Sequence, residues 1–594
     1  MTHFRTFGDF SRYLERVGEL HRVKVEVDPY LEITEIARRA LRERKQALLF
    51  ERVKGSPYPV VINALASDFR CELALQKHPA QLGEELIKFL GDVFPPRPSA
   101  FLKHRPLVRR FFSSPVKMVR RGAGQEIVES PDLDALPVLT CWPGDGGRFI
   151  TLPQVITYDP RTGKRNMGMY RMHVFDKSTT GMHWQIQKGG GFHYYQAEKA
   201  GRPLELAVAI GTDPALLMAT IAALPENMDE AMFAGFLRGA RSEFTRATSL
   251  SIAVPAHAEF ILEGVVKPGE RRMEGPFGDH FGHYSHAAEF PVFHLSAVTR
   301  RRDAIYPATV VGIPPMEDKF LGDATQQILG PLVKLIHAEI TDMWAYYEAG
   351  FHNLLVVAVD QRYAKESMKT ALGLMGLSQL ALTKCIILVT EGVNVRDFGD
   401  VMMEVRDHFD PHYDFVMIPR VPLDTLDFTS LQMNLGSKMV IDATHKHRPE
   451  SARSRRRAKG PGRRQIAALR STDRRILDLS FIHDTMLIVK VRGEGMPVVK
   501  KLVRSNDLAD LTLIAAVSED VDIGDRENYI WGIFTRFDCE RDIVFTEQKL
   551  MGISPIYKGV MGIDATWKRG YPEALVMREE VRKRVEGRWE DYWE

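Results

Sequence analysis

Two carboxylates five residues apart, Glu274 and Asp279, enclose the turn sequence Gly-Pro-Phe-Gly. Such a turn can direct both acids at one point. Paired carboxylates in different environments can divide the roles of general acid and general base, which a proton-transfer site requires. The alternative for this string alone is a surface turn that carries two solvated acids.

A second string, residues 166–171, combines the neutral oxygen ligand of Asn166 with the fixed positive fork of Arg171. Both groups suit a phosphate or a carboxylate, although Asn-x-Gly is also a common turn. The glycine runs at 144–147 and 189–191 allow a phosphate to approach the backbone closely. Neither run matches a Walker or dinucleotide motif, so their glycines indicate mainly backbone conformation.

The elements that must position these residues fall into regions of different pattern. Residues 1–114 alternate helical and strand patterns and predict an α/β domain. Residues 115–325 show short strand patterns between Gly and Pro turns, which predict a β-rich barrel or sandwich. Buried strands and helices return in residues 326–446, and residues 576–594 predict a closing helix.

The third region is duplicated. Residues 381–416 and 509–544 share many positions at an offset of 128, and Ile-Asp-Ala-Thr-x-Lys follows in both copies. The second copy, residues 476–575, lacks both the acid pair and the Asn-x-Gly-x-Tyr-Arg string. It is therefore not a second catalytic unit, and it should pack on the first copy or on a neighbouring subunit. Truncation after Ile441 is expected to lower assembly or solubility before it affects the chemistry.

Positive charge is concentrated in one stretch. Residues 446–475 hold twelve Lys or Arg and two acids, whereas the whole chain has a formal net charge of +3. This stretch has no apolar periodicity, so residues 447–475 predict a basic flexible linker. The alternative is a tether for a polyanion, but the stretch has no aromatic residue for base stacking. We expect no nucleic-acid partner and at most peripheral membrane contact.

The composition is that of a soluble multidomain protein, with 594 residues, 44% hydrophobic and 26% charged. No apolar run reaches the roughly 18 residues of a membrane-spanning helix, and the N-terminus has no apolar signal region. The cytoplasm is therefore the expected compartment. Four scattered cysteines argue against a disulfide framework and against a CxxC metal site.

Together, five separated strings resemble the UbiD family of prenylated-flavin-dependent aromatic decarboxylases. The resemblance covers residues 1–446 in order and implies an N-terminal α/β domain, a split β-barrel that binds prenylated FMN, and a C-terminal α/β domain used in oligomers. The expected fold class is a multidomain α/β chain in which this last module is duplicated. The strings lie at residues 18–35, 166–171, 225–235, 274–279 and 435–444.

The resemblance implies a binding role for each matching residue. Asn166 and Glu230 would ligate a divalent metal, Mn²⁺ or Mg²⁺, that holds the cofactor phosphate. Members of the family use a histidine as third ligand where this chain has Gln187, whose amide oxygen is a weaker ligand. A potassium ion is usual nearby. The cofactor would contact Met169, Tyr170, Arg171, His183, Trp184, Gln185, Lys188 and Gly189.

The resemblance further implies a catalytic network of Arg171, Glu274 and Asp279. The cofactor stabilises the carbanion left by loss of CO₂, and Asp279 would donate the proton that replaces it. Glu274 and Arg171 would hold and tune Asp279. Because a neighbouring carboxylate raises the pKa of an acid, we expect Asp279 to keep a proton near neutral pH.

The length of the chain and its duplicated module look most like the menaquinone-biosynthesis decarboxylases of the futalosine route. That likeness implies a hydroxynaphthoate-type aromatic acid as substrate, a homo-oligomer, and a flavin prenyltransferase that supplies the cofactor. The alternative within the family is a (de)carboxylase of another phenolic or polycyclic aromatic acid. From a different class, the alternative is the polyanion tether.

Overall fold

The computed structural model describes residues 3–93, 98–185, 188–222, 224, 228–430, 432–445 and 469–594. The predicted metal ligand Gln187 and most of the basic linker, residues 446–468, lie outside these described residues. Contacts divide the chain into two units, Met1–Leu329 with Glu573–Glu594, and Gly330–Pro572. Within the described ranges, no helix is both long enough and apolar enough to cross a membrane.

The first unit begins with helices packed on a small sheet. On the second helix, Ile33, Ile36 and Ala40 recur at helical spacing and are buried in one core with Leu48. The elements are α1 Phe7–Arg16, β1 Leu20–Val23, α2 Glu32–Arg42, β2 Ala47–Phe50, β3 Val60–Ile62, α3 Asp68–Leu75, α4 Pro79–Val93, α5 Pro98–Lys103 and α6 Arg105–Phe112.

A curled antiparallel sheet follows, in the order β6-β9-β10-β15-β14-β11-β7-β8, with β5 paired to β15. β4, β12 and β13 form a separate sheet of three strands. The elements of this stretch of chain are β4 Lys117–Met118, β5 Ile127–Glu129, β6 Arg148–Ile150, β7 Gln154–Tyr158, β8 Arg165–Met169, β9 Met172–Val174, β10 Thr179–Gly181, α7 Gly189–Lys199, β11 Leu204–Ile210, α8 Pro214–Ile221, α9 Glu230–Arg238, β12 Glu243–Arg246, β13 Ala253–Pro255, β14 Phe260–Glu274, β15 Ala288–Arg300 and β16 Tyr306–Pro307. The long hairpin of β14 and β15 runs through the sheet and ends at the pair Glu274 and Ala288.

The N-terminal sheet is assembled from distant parts of the chain. Its strand order is β1-β2-β3-β16, so a strand that follows the curled sheet completes it. The last helix of the chain, Glu579–Gly587, also belongs to the first unit, and its Val581 and Val585 are buried in the same core as Ile33. The sequence analysis assigned each domain to one continuous range of residues, and those boundaries stay a prediction.

The second unit contains two sheets of five strands. The elements are α10 Glu317–Val333, which enters this unit, then β17 Ile340–Ala345, β18 Leu355–Val359, α11 Glu366–Leu374, β19 Cys385–Thr390, α12 Phe398–His408, α13 Pro411–Asp414, β20 Phe415–Pro422, β21 Leu435–Asp442, β22 Ile476–Ile482, β23 Met486–Val491, α14 Met496–Leu502, β24 Leu513–Val517, α15 Arg526–Phe534, β25 Ile543–Met551 and β26 Ser554–Ala565.

The two sheets have the same topology. Their orders are β17-β18-β19-β21-β20 and β22-β23-β24-β26-β25, and corresponding neighbours run in the same relative directions. Equivalent residues also have equivalent structural roles in the two copies, since Asp397 and Asp525 cap the N-termini of α12 and α15. The predicted fold class, a multidomain α/β chain with a duplicated C-terminal module, is confirmed.

Candidate active site

Arg171 brings together the two acids predicted from the turn sequence. Its Nε lies 3.1 Å from Glu274 Oε1, and its Nη1 donates to Asp279 Oδ2. The guanidinium also donates to Ser285 Oγ over 2.9 Å. Arg171 follows β8, Glu274 ends β14 and Asp279 lies in the next loop, so three parts of the curled sheet meet here. All three side chains are nearly inaccessible to solvent.

The electrostatics of this network differ from the expectation for two adjacent carboxylates. Burial, the largest single effect, raises the pKa of both acids, but the charge of Arg171 together with the contacts of His183 to Glu274 and of His280 to Asp279 outweighs burial and lowers both pKa values. The pKa of Glu274 falls to about 2, and that of Asp279 lies well below its usual range. The prediction that Asp279 keeps a proton near neutral pH is therefore wrong for this structure, because a guanidinium contacts both acids.

Several of the predicted cofactor residues contact one another beside this network. Tyr170 accepts a hydrogen bond from Gly190 N over 3.0 Å, and its ring lies edge-on to Trp184. His183 Nδ1 lies 3.0 Å from Glu274 Oε2. Four other residues predicted to contact the cofactor are half-buried near these in the sequence, namely Met169, Gln185, Lys188 and Gly189.

Two nitrogen atoms in this group are buried without a hydrogen-bond partner among the described residues. They are His183 Nε2 and Trp184 Nε1. Burial and the nearby Arg171 charge lower the pKa of His183, which favours the neutral imidazole. Since buried polar atoms are normally paired, the two nitrogens indicate where a polar ligand would be bound.

The predicted metal ligands Asn166 and Glu230 both approach the backbone of β8. Glu230 Oε2 accepts from Met167 N over 2.8 Å. When the Asn166 amide is oriented so that its oxygen faces hydrogen-bond donors, this oxygen accepts from the same N–H. Asp229 caps α9 and pairs with Arg165 at 2.5 Å, which fixes the start of the helix that carries Glu230. The described residues contain no cluster of three His, Cys, Asp or Glu suited to a metal.

The N-terminus of α7 lies directly beside Asn166. A Cβ at Gly189 would lie 2.1 Å from the end of the Asn166 side-chain amide, so a larger residue here would displace that side chain. The helix has no side-chain cap at Lys188, and its first N–H groups, apart from that of Gly190, are not bonded to a side chain of the described residues. A helix N-terminus of this kind favours a phosphate or another anion.

Asp145 is a site residue that the sequence did not single out. One of its oxygens accepts from Cys141 N and Trp142 N, and the other accepts from Gly278 N over 2.8 Å. It thereby joins the glycine run at 144–147 to the loop that carries Asp279. A signal was present, because an acid set among glycines is suited to close contact between two loops.

Replacing Asp145 by asparagine is expected to lower turnover about 10-fold to 100-fold while the flavin stays bound. One carboxylate oxygen becomes an NH₂ group that faces backbone N–H donors, so the loop before Asp279 loses support. Steady-state turnover and flavin absorbance measure the two effects. Asp134→Asn, at a carboxylate that is largely exposed, is the control, and equal turnover in both variants would contradict the prediction.

Sequence models of 3-octaprenyl-4-hydroxybenzoate carboxy-lyase match three consecutive parts of the chain. The model of the UbiD N-terminal domain matches residues 11–90, that of the Rift-related domain matches 117–314, and that of the C-terminal domain matches 319–443. A protein from Chlamydia pneumoniae that is named as a subunit of 4-hydroxybenzoate decarboxylase is 34% identical over 96% of this chain and 95% of its own length.

Solved structures give the same result. The closed form of vanillic acid decarboxylase from Sedimentibacter hydroxybenzoicus has a TM-score of 0.68 at 26% identity, over 79% of this chain and 98% of that one. An evolved dimeric form of the UbiD-class enzyme HmfF from Pelotomaculum thermopropionicum, in complex with prFMN, has a TM-score of 0.62 at 27% identity, over 78% of this chain and 98% of that one.

Fold, site and comparisons together define a prenylated-FMN-dependent carboxy-lyase, as the sequence predicted. The chain belongs to the UbiD family.

Proposed function

We propose that this enzyme removes the ring carboxylate of a hydroxynaphthoate-type aromatic acid, without net oxidation, in menaquinone biosynthesis. The observation that carries the proposal is Arg171 in contact with both Glu274 and Asp279, beside nitrogens of His183 and Trp184 that have no partner among the described residues. The names of the relatives specify hydroxylated benzoates, which supports a hydroxylated aromatic acid. The naphthoate-type substrate is proposed from the likeness in chain length and duplicated module to the menaquinone-biosynthesis decarboxylases.

The residues present fit a bound prenylated FMN. We assign its ring system to Tyr170, His183 and Trp184, because two of these residues hold buried nitrogens that a polar ring edge would satisfy. We assign its phosphate to the N-terminus of α7 beside Asn166. Asn166 and Glu230 would hold a divalent cation, Mn²⁺ or Mg²⁺, through their side-chain oxygens, and the cation would supply positive charge for the phosphate.

The remaining binding predictions are not tested by these contacts. Gln187 as third metal ligand, the potassium ion, the homo-oligomer and the flavin prenyltransferase as cofactor supplier stay predictions. The polyanion tether depends on residues 446–468, which lie outside the described residues.

Bound prenylated FMN supplies an electron sink for the carbanion that remains when CO₂ leaves. The residues of the chain supply charge and a proton. A substrate carboxylate near Arg171 adds negative charge, which raises the pKa of Asp279 and lets it take up a proton. His280 is placed to deliver that proton, since its Nδ1 lies 2.8 Å from Asp279 Oδ1. Asp279 then protonates the ring carbon that has lost CO₂.

The second candidate is a sister enzyme that acts on another phenolic or polycyclic aromatic acid. The names of the relatives favour this alternative, since both specify single-ring hydroxybenzoates. The two candidates share every residue of the site and differ only in the ring that the pocket admits.

CO₂ release from a panel of acids separates the candidates. We expect holoprotein reconstituted with prenylated FMN to prefer a dihydroxynaphthoate over 4-hydroxybenzoate and vanillate by about 10-fold or more in kcat/KM, because the second ring adds buried apolar area. Preference for a single-ring acid would favour the second candidate. No CO₂ from any acid of the panel would contradict both.

A further inference from the structure

The last segment of the chain contacts the loop that carries the catalytic acids. We call residues 573–594 the C-terminal tail and residues 274–285 the catalytic loop. Leu575 N donates to Gly282 O over 2.9 Å, and Tyr284 N donates to Glu573 O over 3.2 Å. His283 and Ala574 form an antiparallel bridge between these two bonds. The tail thus pairs with the catalytic loop as a short strand.

The Leu575 side chain packs where the catalytic loop turns toward Asp279. A Cβ built on Gly278 would lie 2.3 Å from Trp142 Cδ1 and 2.8 Å from Leu575 Cδ2, so Gly278 is enclosed between these two side chains. Leu575 is only 2% exposed. Asp279 is the next residue, and its position is therefore set by the packing on Gly278.

The catalytic loop is also held by hydrogen bonds from residues outside the tail. Gly278 N donates to Asp145 and Ser285 Oγ accepts from Arg171, so these two polar contacts do not depend on the tail. The tail adds the apolar contact of Leu575 with Gly278. Loss of the leucine would leave the loop bonded yet free to shift toward the vacated volume.

The tail has a separate anchor on the N-terminal domain. Tyr592 OH donates to Glu32 Oε1 over 2.8 Å, and Arg588 pairs with the same carboxylate at 2.7 Å. Val585 lies 1% exposed in the core beneath this anchor. Anchoring and loop contact are therefore made by different residues and can be varied independently.

We propose that Leu575 is a positioning residue for decarboxylation, which holds Gly278 and thereby places Asp279 for proton transfer. This inference rests on the proposed function only for the role of Asp279. It also changes the expectation for truncation after Ile441, because the tail is removed as well and the chemistry should fail together with any change in assembly.

The test compares Leu575→Ala with Leu14→Ala and Val585→Ala in the reconstituted holoprotein. Leu14 is a fully buried leucine of α1, so its truncation is the same chemical change away from the loop. We expect Leu575→Ala to lower kcat about 10-fold to 100-fold with KM changed less than about threefold, since a misplacement near 1 Å has this cost. Leu575→Met should have most of the wild-type kcat, and both control variants should have a kcat close to that of the wild type.

Amide hydrogen exchange across residues 276–284 gives a second readout that needs no substrate. Leu575→Ala should speed exchange there about 10-fold or more, whereas Leu14→Ala and Val585→Ala should not. Wild-type protection of the loop in Leu575→Ala would overturn the inference, as would an equal loss of kcat in the two controls. Failure of the wild-type enzyme to release CO₂ contradicts the proposed function instead, and the exchange result still decides whether the tail holds the loop.

Discussion

Asp279→Asn is expected to lower turnover by about 100-fold to 10,000-fold while prenylated FMN remains bound. Asparagine keeps the size of the side chain and can still accept from Arg171, but it cannot deliver a proton to the ring carbon. The residues assigned to the flavin, such as Tyr170 and Trp184, do not depend on Asp279 for their contacts. CO₂ release and flavin absorbance measure the two halves of this expectation.

Proton transfer can be measured apart from CO₂ loss. In D₂O the wild-type holoprotein should exchange the ring hydrogen of the decarboxylated product, because the same acid must act in both directions. Asp279→Asn should lose this exchange, and Asp303→Asn, at a largely exposed carboxylate, should keep it. Exchange at the wild-type rate in Asp279→Asn would show that another group carries the proton.

The sequence identified the acids of this site but not their charge state. Glu274 and Asp279 are separated by a short turn, and that spacing alone predicts mutual repulsion and a raised pKa. Arg171 lies more than one hundred residues earlier, and its approach to both acids depends on the pairing of β14 with β15 and on the loop after β8. Charge states at such a site therefore follow from tertiary contacts that local spacing does not contain.

The repeat could be predicted because the residues shared by its two copies make the same hydrogen bonds to nearby residues in each copy. Thr444 donates to Asp442 over 2.6 Å, and Thr566 donates to Asp564 over the same distance. The lysine that contacts Asp442 is Lys365, which lies 77 residues earlier, whereas the lysine that contacts Asp564 is Lys568, four residues later. Turn and cap geometry repeat in sequence for this reason, whereas ion-pair partners need not.

Contacts between a domain and segments far away in the chain could not be predicted from the sequence. β16 consists of two residues, Tyr306 and Pro307, and no periodicity assigns so short a strand to a sheet that begins 286 residues earlier, at Leu20. The pairing of the tail with the catalytic loop depends on two backbone bonds, which carry no side-chain pattern. Such contacts are visible only when the chain is folded.

Glu230→Gln is expected to abolish retention of both metal and flavin while the fold is kept. Glutamine preserves the volume of the side chain and can still accept from Met167 N, so the variant removes little besides the negative charge. The proposed cation would lose an anionic ligand, so metal affinity should fall by more than the roughly 10-fold to 100-fold cost of a change outside the ligand shell. Metal content and flavin absorbance after gel filtration measure the result.

Glu259→Gln is the matched control for this variant. Glu259 is also a buried carboxylate of the first unit that accepts from a backbone N–H, that of Gly8, and burial raises the pKa of both acids to about 7. Removing charge at Glu259 should therefore disturb the folded chain about as much as at Glu230 yet leave metal and flavin in place. If Glu230→Gln retained both ligands at the level of Glu259→Gln, the cation would have to be held elsewhere and the assignment of Asn166 and Glu230 would fail.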